Sequence, residues 1–245
     1  MKVFKKTKGI AMLAVVIFGT SLLVLSCSKD SPSSPYVCQT CHNTPDALAV
    51  NDSKIAGVYK GIVVGSTGSI SINIQNGSST VTAIMVLDGI TANLTSNVTV
   101  VEGLTYVAPF TGTYNGNAVT VTFQVGSGGA DPIMVSSDIP GHPNAIFNLY
   151  KETSTSLISA FEGTYTAGSD SGTFNIVVAS SLLKWGYVAK DNISGEINSG
   201  NGTMVGNHLL NEDGLDVGTI TGDVVNGTST NNSGQTVTIN GNRTL

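Results

Sequence analysis

Charge is scarce in this chain. Of its 245 residues only 11% are Asp, Glu, Lys or Arg, and Arg243 is the one arginine. Binding nucleic acid takes a basic stripe that neutralises phosphates, and holding anionic lipid takes a polybasic patch; so few cations can build neither. Aromatic residues are also thin at 6%, with Trp185 the single tryptophan, and there are three histidines and three cysteines. A core drawn from small polar residues buries little apolar area, which leaves the aromatics as its main filling. Helical periodicity is missing as well. Beyond residue 28 the exception is "TPDALAV" (44–50), where Thr44 can cap a short helix and Pro45 can take its first position.

Apolar residues are instead concentrated at the start. Lys2, Lys5, Lys6 and Lys8 precede "GIAMLAVVIFGTSLLVLSCS", which is uncharged from Gly9 to Ser28. A basic start followed by an apolar run is the layout of a secretory signal, with a retained membrane-spanning helix as the competing reading. The ending "VLSC" resembles the lipobox of bacterial lipoproteins: aliphatic residues, then small Ser26, then Cys27. "SKDSPSSP" after it resembles the charged, flexible tether of Bacteroidetes-type lipoproteins. The resemblance implies a signal peptide over 1–26, lipidation at Cys27, and an outer-membrane, surface-exposed protein held by its lipid. Without the four leader lysines the 11 basic residues become seven against 16 acidic ones, so the net charge moves from −5 to −9. The compartment implied is oxidising and free of ATP, which argues against kinases and most nucleotide enzymes.

From Gly57 onward the sequence alternates at the strand period of two. Ile70, Ile72 and Ile74 share one face; Val119, Val121, Phe123 and Val125 alternate with Thr120, Thr122 and Gln124. Further strands are expected at "TVTAIMVL", "ITANLTS", "VTVVEG", "LTYVAPFTGTY" and "AIFNLYKE", with Asn115-Gly116 a hairpin turn. Blocks recur in order: "YKGIVVGSTGSISI" (59–72) with "FEGTYTAGSDSGTFNI" (161–176), then "FTGTYNGNAVTVTF" (110–123) with "VNGTSTNNSGQTVTI" (225–239). The expectation is an all-β protein of two tandem antiparallel β-meander units, repeat 1 at 57–152 and repeat 2 at 153–245, after a tether at 27–56. Glycine-punctuated strands ending in Gly227, Thr228, Gly234, Gly241 and Arg243 resemble the small up-and-down barrels of bacterial surface lipoproteins, in which the last strand closes on the first. Two small barrels, two curled sheets and one joint sandwich all satisfy the pattern.

Chemistry-bearing residues are scattered. His142, between Pro140 and Pro143, and His208 read as solvated turn residues. "NEDGLD" (211–216) lacks the spacing of a calcium loop and reads as an acidic turn. The "GSTGS" stretch lacks the lysine and helix of a phosphate loop. Glu162 and Asp170 are a carboxylate pair in name, with nothing to single them out for glycoside hydrolysis. Tyr59, Tyr106, Tyr165, Trp185 and Tyr187 are assigned to the cores rather than to a ligand surface.

The sharpest motif is Cys38-x-x-Cys41-His42, a signature of covalent haem attachment. In c-type cytochromes it opens a helical domain that wraps the macrocycle. Here strands start fourteen residues later, and a second iron ligand would have to come from Met85, Met134, Met204, His142 or His208, or from solvent. Once Cys27 is lipidated, Cys38 and Cys41 remain, and an oxidising compartment favours a disulfide between them. Zinc would need Asp46 or Asp52 to complete an incomplete set. The sequence therefore points to a lipid-anchored, non-catalytic cell-envelope protein for display, binding or structure, without metal or cofactor. Its partners would be the membrane and an unidentified extracellular protein or glycan. The alternative is a monohaem c-type electron-transfer lipoprotein with His42 as an axial ligand.

Overall fold

The computed structural model describes residues 35–64, 67–231 and 233–245. The expected signal peptide (1–26), Cys27 and the start of the expected tether lie outside them. The described chain is all-β and forms two eight-stranded antiparallel sheets. In the first, β1 (Gly57–Val63), β2 (Gly68–Ile74), β3 (Val81–Leu87), β4 (Ile90–Ser96), β5 (Tyr106–Tyr114), β6 (Asn117–Val125) and β7 (Ile133–Asp138) run as a meander. β8 (Phe147–Glu152) then crosses back to pair with β1. The second comprises β9 (Ile158–Ala167), β10 (Asp170–Ala179), β11 (Lys184–Asp191), β12 (Ile197–Val205), β13 (His208–Asn211), β14 (Asp216–Thr221), β15 (Val224–Thr230) and β16 (Thr236–Arg243). Here β16 returns to β9, with pairs from Val237↔Ala167 to Arg243↔Phe161, and the barrel closes. Closure removes both open edges. Gly163 and Gly241 face each other across that seam, where a Cβ on Gly163 would stand 2.6 Å from the Gly241 Cα.

The first sheet stops short of closure between β7 and β8. The chain there passes through Pro140, Gly141 and Pro143; proline lacks the N–H a ladder requires, and β7 is already bulged against β6 at Thr122/Phe123. Alternation behaves as the pattern predicts. Val119, Val121, Phe123 and Val125 are buried on the inner face, beside half-buried Thr120, Thr122 and Gln124. This interior is filled: Tyr59, Phe110 and Phe123 meet at 5.1 and 6.4 Å between ring centroids, with Ile70, Ile72, Ile74 and Met85 around them.

Three expectations need correction. "VTVVEG" is a loop, and its Glu102 carboxylate accepts the backbone N–H groups of Ile55 (3.0 Å) and Ala56 (3.2 Å). The short helix at 44–50 is a single 3₁₀ turn at Ala49–Asn51, capped by no side chain. The second pair of similar blocks joins hairpins that are not equivalent. "FTGTYNGNAVTVTF" is β5–β6, the fifth and sixth strands of its sheet, whereas "VNGTSTNNSGQTVTI" is β15–β16, the last two of the barrel. The first pair does match, as β1–β2 and β9–β10 each open their unit.

The two sheets pack through their outer faces. Ile62 of β1 sits among Ile158, Ala160, Val177, Ala179 and Val188 of the barrel. Asn175, fully buried on β10, donates from Nδ2 to the carbonyl oxygens of Val63 (3.0 Å) and Val64, beyond the end of β1. No helix among the described residues is long and apolar enough to cross a membrane.

Candidate functional site: a cup in the closed barrel

An eight-stranded barrel has an interior that side chains can just fill or that can hold one small ligand. One end of this barrel is filled. Phe161, Val178, Met204, Leu209 and Val225 are buried there, where β10 runs into β11 and β12 into β13. Toward the other end lies a cavity of about 420 Å³, within the size range of small-molecule sites. Its wall is Tyr165, Phe174, Trp185 and Tyr187 with Ile176, Val217 and Ile239. Its mouth carries Asn198, Asn211, Ser229, Thr230 and Asn231. Among the described residues no charged side chain lines it.

Cross-strand register explains why this barrel has a hollow while its neighbour is full. Tyr165 pairs with Gly172, Tyr187 with Gly200 and Trp185 with Gly202. A Cβ on Gly200 would stand 2.7 Å from Tyr187 Cε1, and one on Gly172 or Gly202 closer still to Tyr165 or Trp185. Each ring thus lies flat over a strand that offers only backbone. Rings laid along the wall leave the middle open. In the first sheet the partners are bulkier: Tyr59 pairs with Ile72 and Phe110 with Val121, so those rings point inward and meet. Trp185 and Tyr187 stack at 5.8 Å with 26° between planes, and the Trp185 indole N–H donates to the Leu210 carbonyl at 2.9 Å.

The aromatics assigned to the cores therefore divide. Tyr59 and Tyr106 are buried in the first sheet and Trp185 is buried in the barrel core while facing the cavity, whereas Tyr165 and Tyr187 are half-buried and line it. The signal for this in the sequence was aromatic residues whose strand neighbours are glycine, legible only once the register is known.

The floor of the barrel is held by the segment that carries the cysteine motif. Cys38 and Cys41 form a disulfide, with Cα atoms 5.5 Å apart. The Cys38 backbone N–H donates to Asp223 Oδ2 (2.8 Å), and the Tyr36 hydroxyl donates to the Arg243 carbonyl (2.9 Å). The Arg243 guanidinium donates to Asn43 Oδ1 (3.0 Å), the His42 carbonyl, Asp223 Oδ1 (3.3 Å) and the Leu245 carbonyl (2.9 Å). The one arginine thus clasps this strap to the closed end of the barrel.

Beyond the clasp, His42 Nδ1 lies 2.5 Å from Asp46 Oδ1. Lys60 Nζ, 3% exposed, donates to Asp46 Oδ2 (2.7 Å) and to Glu152 Oε2 (2.8 Å), and Glu152 is wholly buried. Glu152 also accepts the backbone N–H groups of Asp46 (2.6 Å) and Ile158 (3.1 Å). Burial pushes the Asp46 carboxyl up, but hydrogen bonds from Lys60 and His42 outweigh it and hold the group below its usual range. The adjoining hollow is lined by polar Ser69, Ser71, Lys60 and Asp46 and by apolar Ile84, Val86, Leu157 and Ile158. These residues do not fit haem. The two sulfurs are bonded to each other and so are not free to form thioethers, and His42 is 65% exposed and engaged by Asp46. Met85 is in the first core and Met204 in the barrel floor.

The other candidates separate. His142 is not a solvated turn residue: its side chain is 10% exposed, 3.0 Å from Asp88 Oδ2 and edge-on to Tyr114. His208 is half-exposed and 2.6 Å from Asp216 Oδ2. In the 211–216 turn Asn211 Oδ1 accepts the N–H groups of Asp213 (3.0 Å) and Leu215 (2.8 Å), which is turn chemistry. Among the described residues no three of His, Cys, Asp and Glu are grouped to hold a metal. Glu162, opposite Asn175, lies about 17 Å along the strand from Asp170, opposite Ala167, too far to act on one glycosidic bond. Asp52 accepts the Ser154 hydroxyl (2.7 Å) and N–H (2.8 Å). Comparison with protein-family models, with curated proteins and with solved structures yields no match.

Proposed function

We propose that this protein is a lipid-anchored, non-catalytic binding protein of the cell envelope, whose closed barrel is a cup for a small, largely apolar molecule. The cavity carries the reading: about 420 Å³, aromatic-walled, open at one end and packed at the other. Among the described residues its lining has no carboxylate, histidine or lysine; its titratable groups are Tyr165 and Tyr187, whose phenols burial raises. The proposed anchor, Cys27, precedes Pro35 by eight residues, which span at most about 28 Å. The chain joins the barrel at its packed end through Tyr36 and Cys38, so the mouth is turned away from the point of attachment.

Trp185 is the single tryptophan and sits in the wall, so its emission reports the cavity alone. Titrating the mature chain with a neutral apolar probe such as N-phenyl-1-naphthylamine should change that emission saturably, with one site per chain. No saturable change would overturn the binding role. For the anchor, cells fed a clickable palmitate analogue should label the wild type and not Cys27→Ser; equal labelling would overturn Cys27 as the lipidated residue, and no labelling of either would overturn the lipid.

A further inference from the structure

The walls of the cup and its rim differ in charge. The rim is made by four turns: β9–β10, β11–β12, β13–β14 and β15–β16. These turns and the strand ends beside them carry Asp170, Asp191, Glu196, Glu212, Asp213 and Asp216, against Lys190 alone among basic residues. Below them the lining is uncharged and presents the faces of Tyr165, Phe174, Trp185 and Tyr187.

Resting on the reading of the cavity as a ligand site, we propose that the cup selects small hydrophobic cations. These are amines or quaternary ammonium compounds whose apolar body enters the aromatic wall while the charged head stays at the carboxylate rim. Both halves of such a molecule find a complement. Ring faces are negative and attract a cation that approaches them, most strongly when it is partly desolvated. A mouth carrying a clear excess of one sign of charge above a low-dielectric wall concentrates counter-ions and repels anions.

The carboxylates sit close enough to the wall to act on it. The Tyr165 hydroxyl reaches Asp191 Oδ2 at 3.5 Å, and Glu212 and Asp213 belong to the turn whose Asn211 and Leu215 line the cavity. Burial raises the Tyr165 phenol, and Asp191, Asp170 and Glu196 raise it further; for Tyr187 the second cause after burial is Glu212. Asp191 stays ionised because the backbone N–H groups of Ser194 and Ile193 and the Ser194 hydroxyl donate to it. Asp216 is spoken for by His208, but among the described residues no basic side chain pairs with Glu196, Glu212 or Asp213.

The test uses three probes with one apolar body: 1-naphthylmethylammonium, 1-naphthylmethanol and 1-naphthoate. Each is titrated against the mature chain by Trp185 emission. The ammonium should bind about tenfold or more tightly than the alcohol at low ionic strength, with naphthoate weakest, and the preference should shrink at about 0.5 M salt. In a Glu196→Gln, Glu212→Gln, Asp213→Asn variant the ratio of ammonium to alcohol affinity should fall toward one. Equal binding of the three probes, or a preference indifferent to salt and to those substitutions, would overturn the selectivity and leave the cup as a binding site. Absence of saturable binding by any of them would overturn the cup itself.

Discussion

At Gly200 a hydrogen in place of a side chain lets the Tyr187 ring lie against the barrel wall. Adding one methyl there forces the ring inward. Gly200→Ala should cost about 1–3 kcal/mol by overpacking. It should also weaken neutral-probe binding at least several-fold, read as loss of the saturable Trp185 response in a protein that still melts cooperatively. A second residue-scale case is Glu152, which forms with Lys60 the one fully enclosed charge pair among the described residues. Glu152→Gln keeps the shape and removes the charge, leaving Lys60 with the half-exposed Asp46. Removing one partner of a buried pair is more damaging than the pair is helpful, so a loss of about 3 kcal/mol is expected in urea unfolding.

Among the elements, the strap from Tyr36 to Asp46 binds the closed end of the barrel and the outer face of β1 through ions and hydrogen bonds more than apolar contact. Its response to acid follows from Asp46. The folded carboxyl is held below its ordinary value of 3.8. A depressed carboxylate contributes stability that is complete above the ordinary range and is lost as pH falls through the lowered value. The urea midpoint should therefore decline below about pH 4, and Asp46→Asn should decline less steeply over the same interval. The disulfide itself closes a small loop. Replacing both Cys38 and Cys41 by serine should cost no more than about 2 kcal/mol, and differential scanning calorimetry with and without a reductant checks it. A much larger loss would mean that the loop, rather than Arg243, holds the strap in place.

For the whole molecule, the outer-face contact around Ile62 couples the two sheets. Ile62 is fully buried against barrel side chains, although it belongs to the other sheet. Trp185 emission reports the barrel, while far-UV circular dichroism reports both sheets. Their thermal transitions should coincide in the wild type. Ile62→Ala should destabilise by about 2–4 kcal/mol, and Ile62→Asp, which buries a charge, should separate the two curves. Coincident curves in Ile62→Asp would mean that the sheets are coupled elsewhere, for example through Asn175 or the strap.

Much of this architecture follows from local pattern. The alternation at Val119–Val125, the turn at Asn115-Gly116 and the repeated opening hairpin at 59–72 and 161–176 each specify strand and turn without reference to distant residues. "VTVVEG" carries the same composition and is a loop, because its Glu102 caps Ile55 and Ala56 instead of leaving the chain free to pair. The cysteine motif was legible as a disulfide candidate from count and compartment. Its docking was not, since Arg243 lies some two hundred residues away in the chain. The cup was the least legible feature of all. Tyr165, Trp185 and Tyr187 look like core residues until the glycines opposite them are known.

By itself the sequence determined the all-β class and most of the strands, and it made Cys38–Cys41 a disulfide candidate beside the haem reading, because a period of two and a three-residue separation are local properties. Only the tertiary structure decided that β16 closes on β9, that three rings lie over glycines, and that one sheet is full while the other encloses a cavity. Those outcomes depend on which residue stands opposite which across strands, and that register is set by long-range closure of the chain rather than by any short stretch of it.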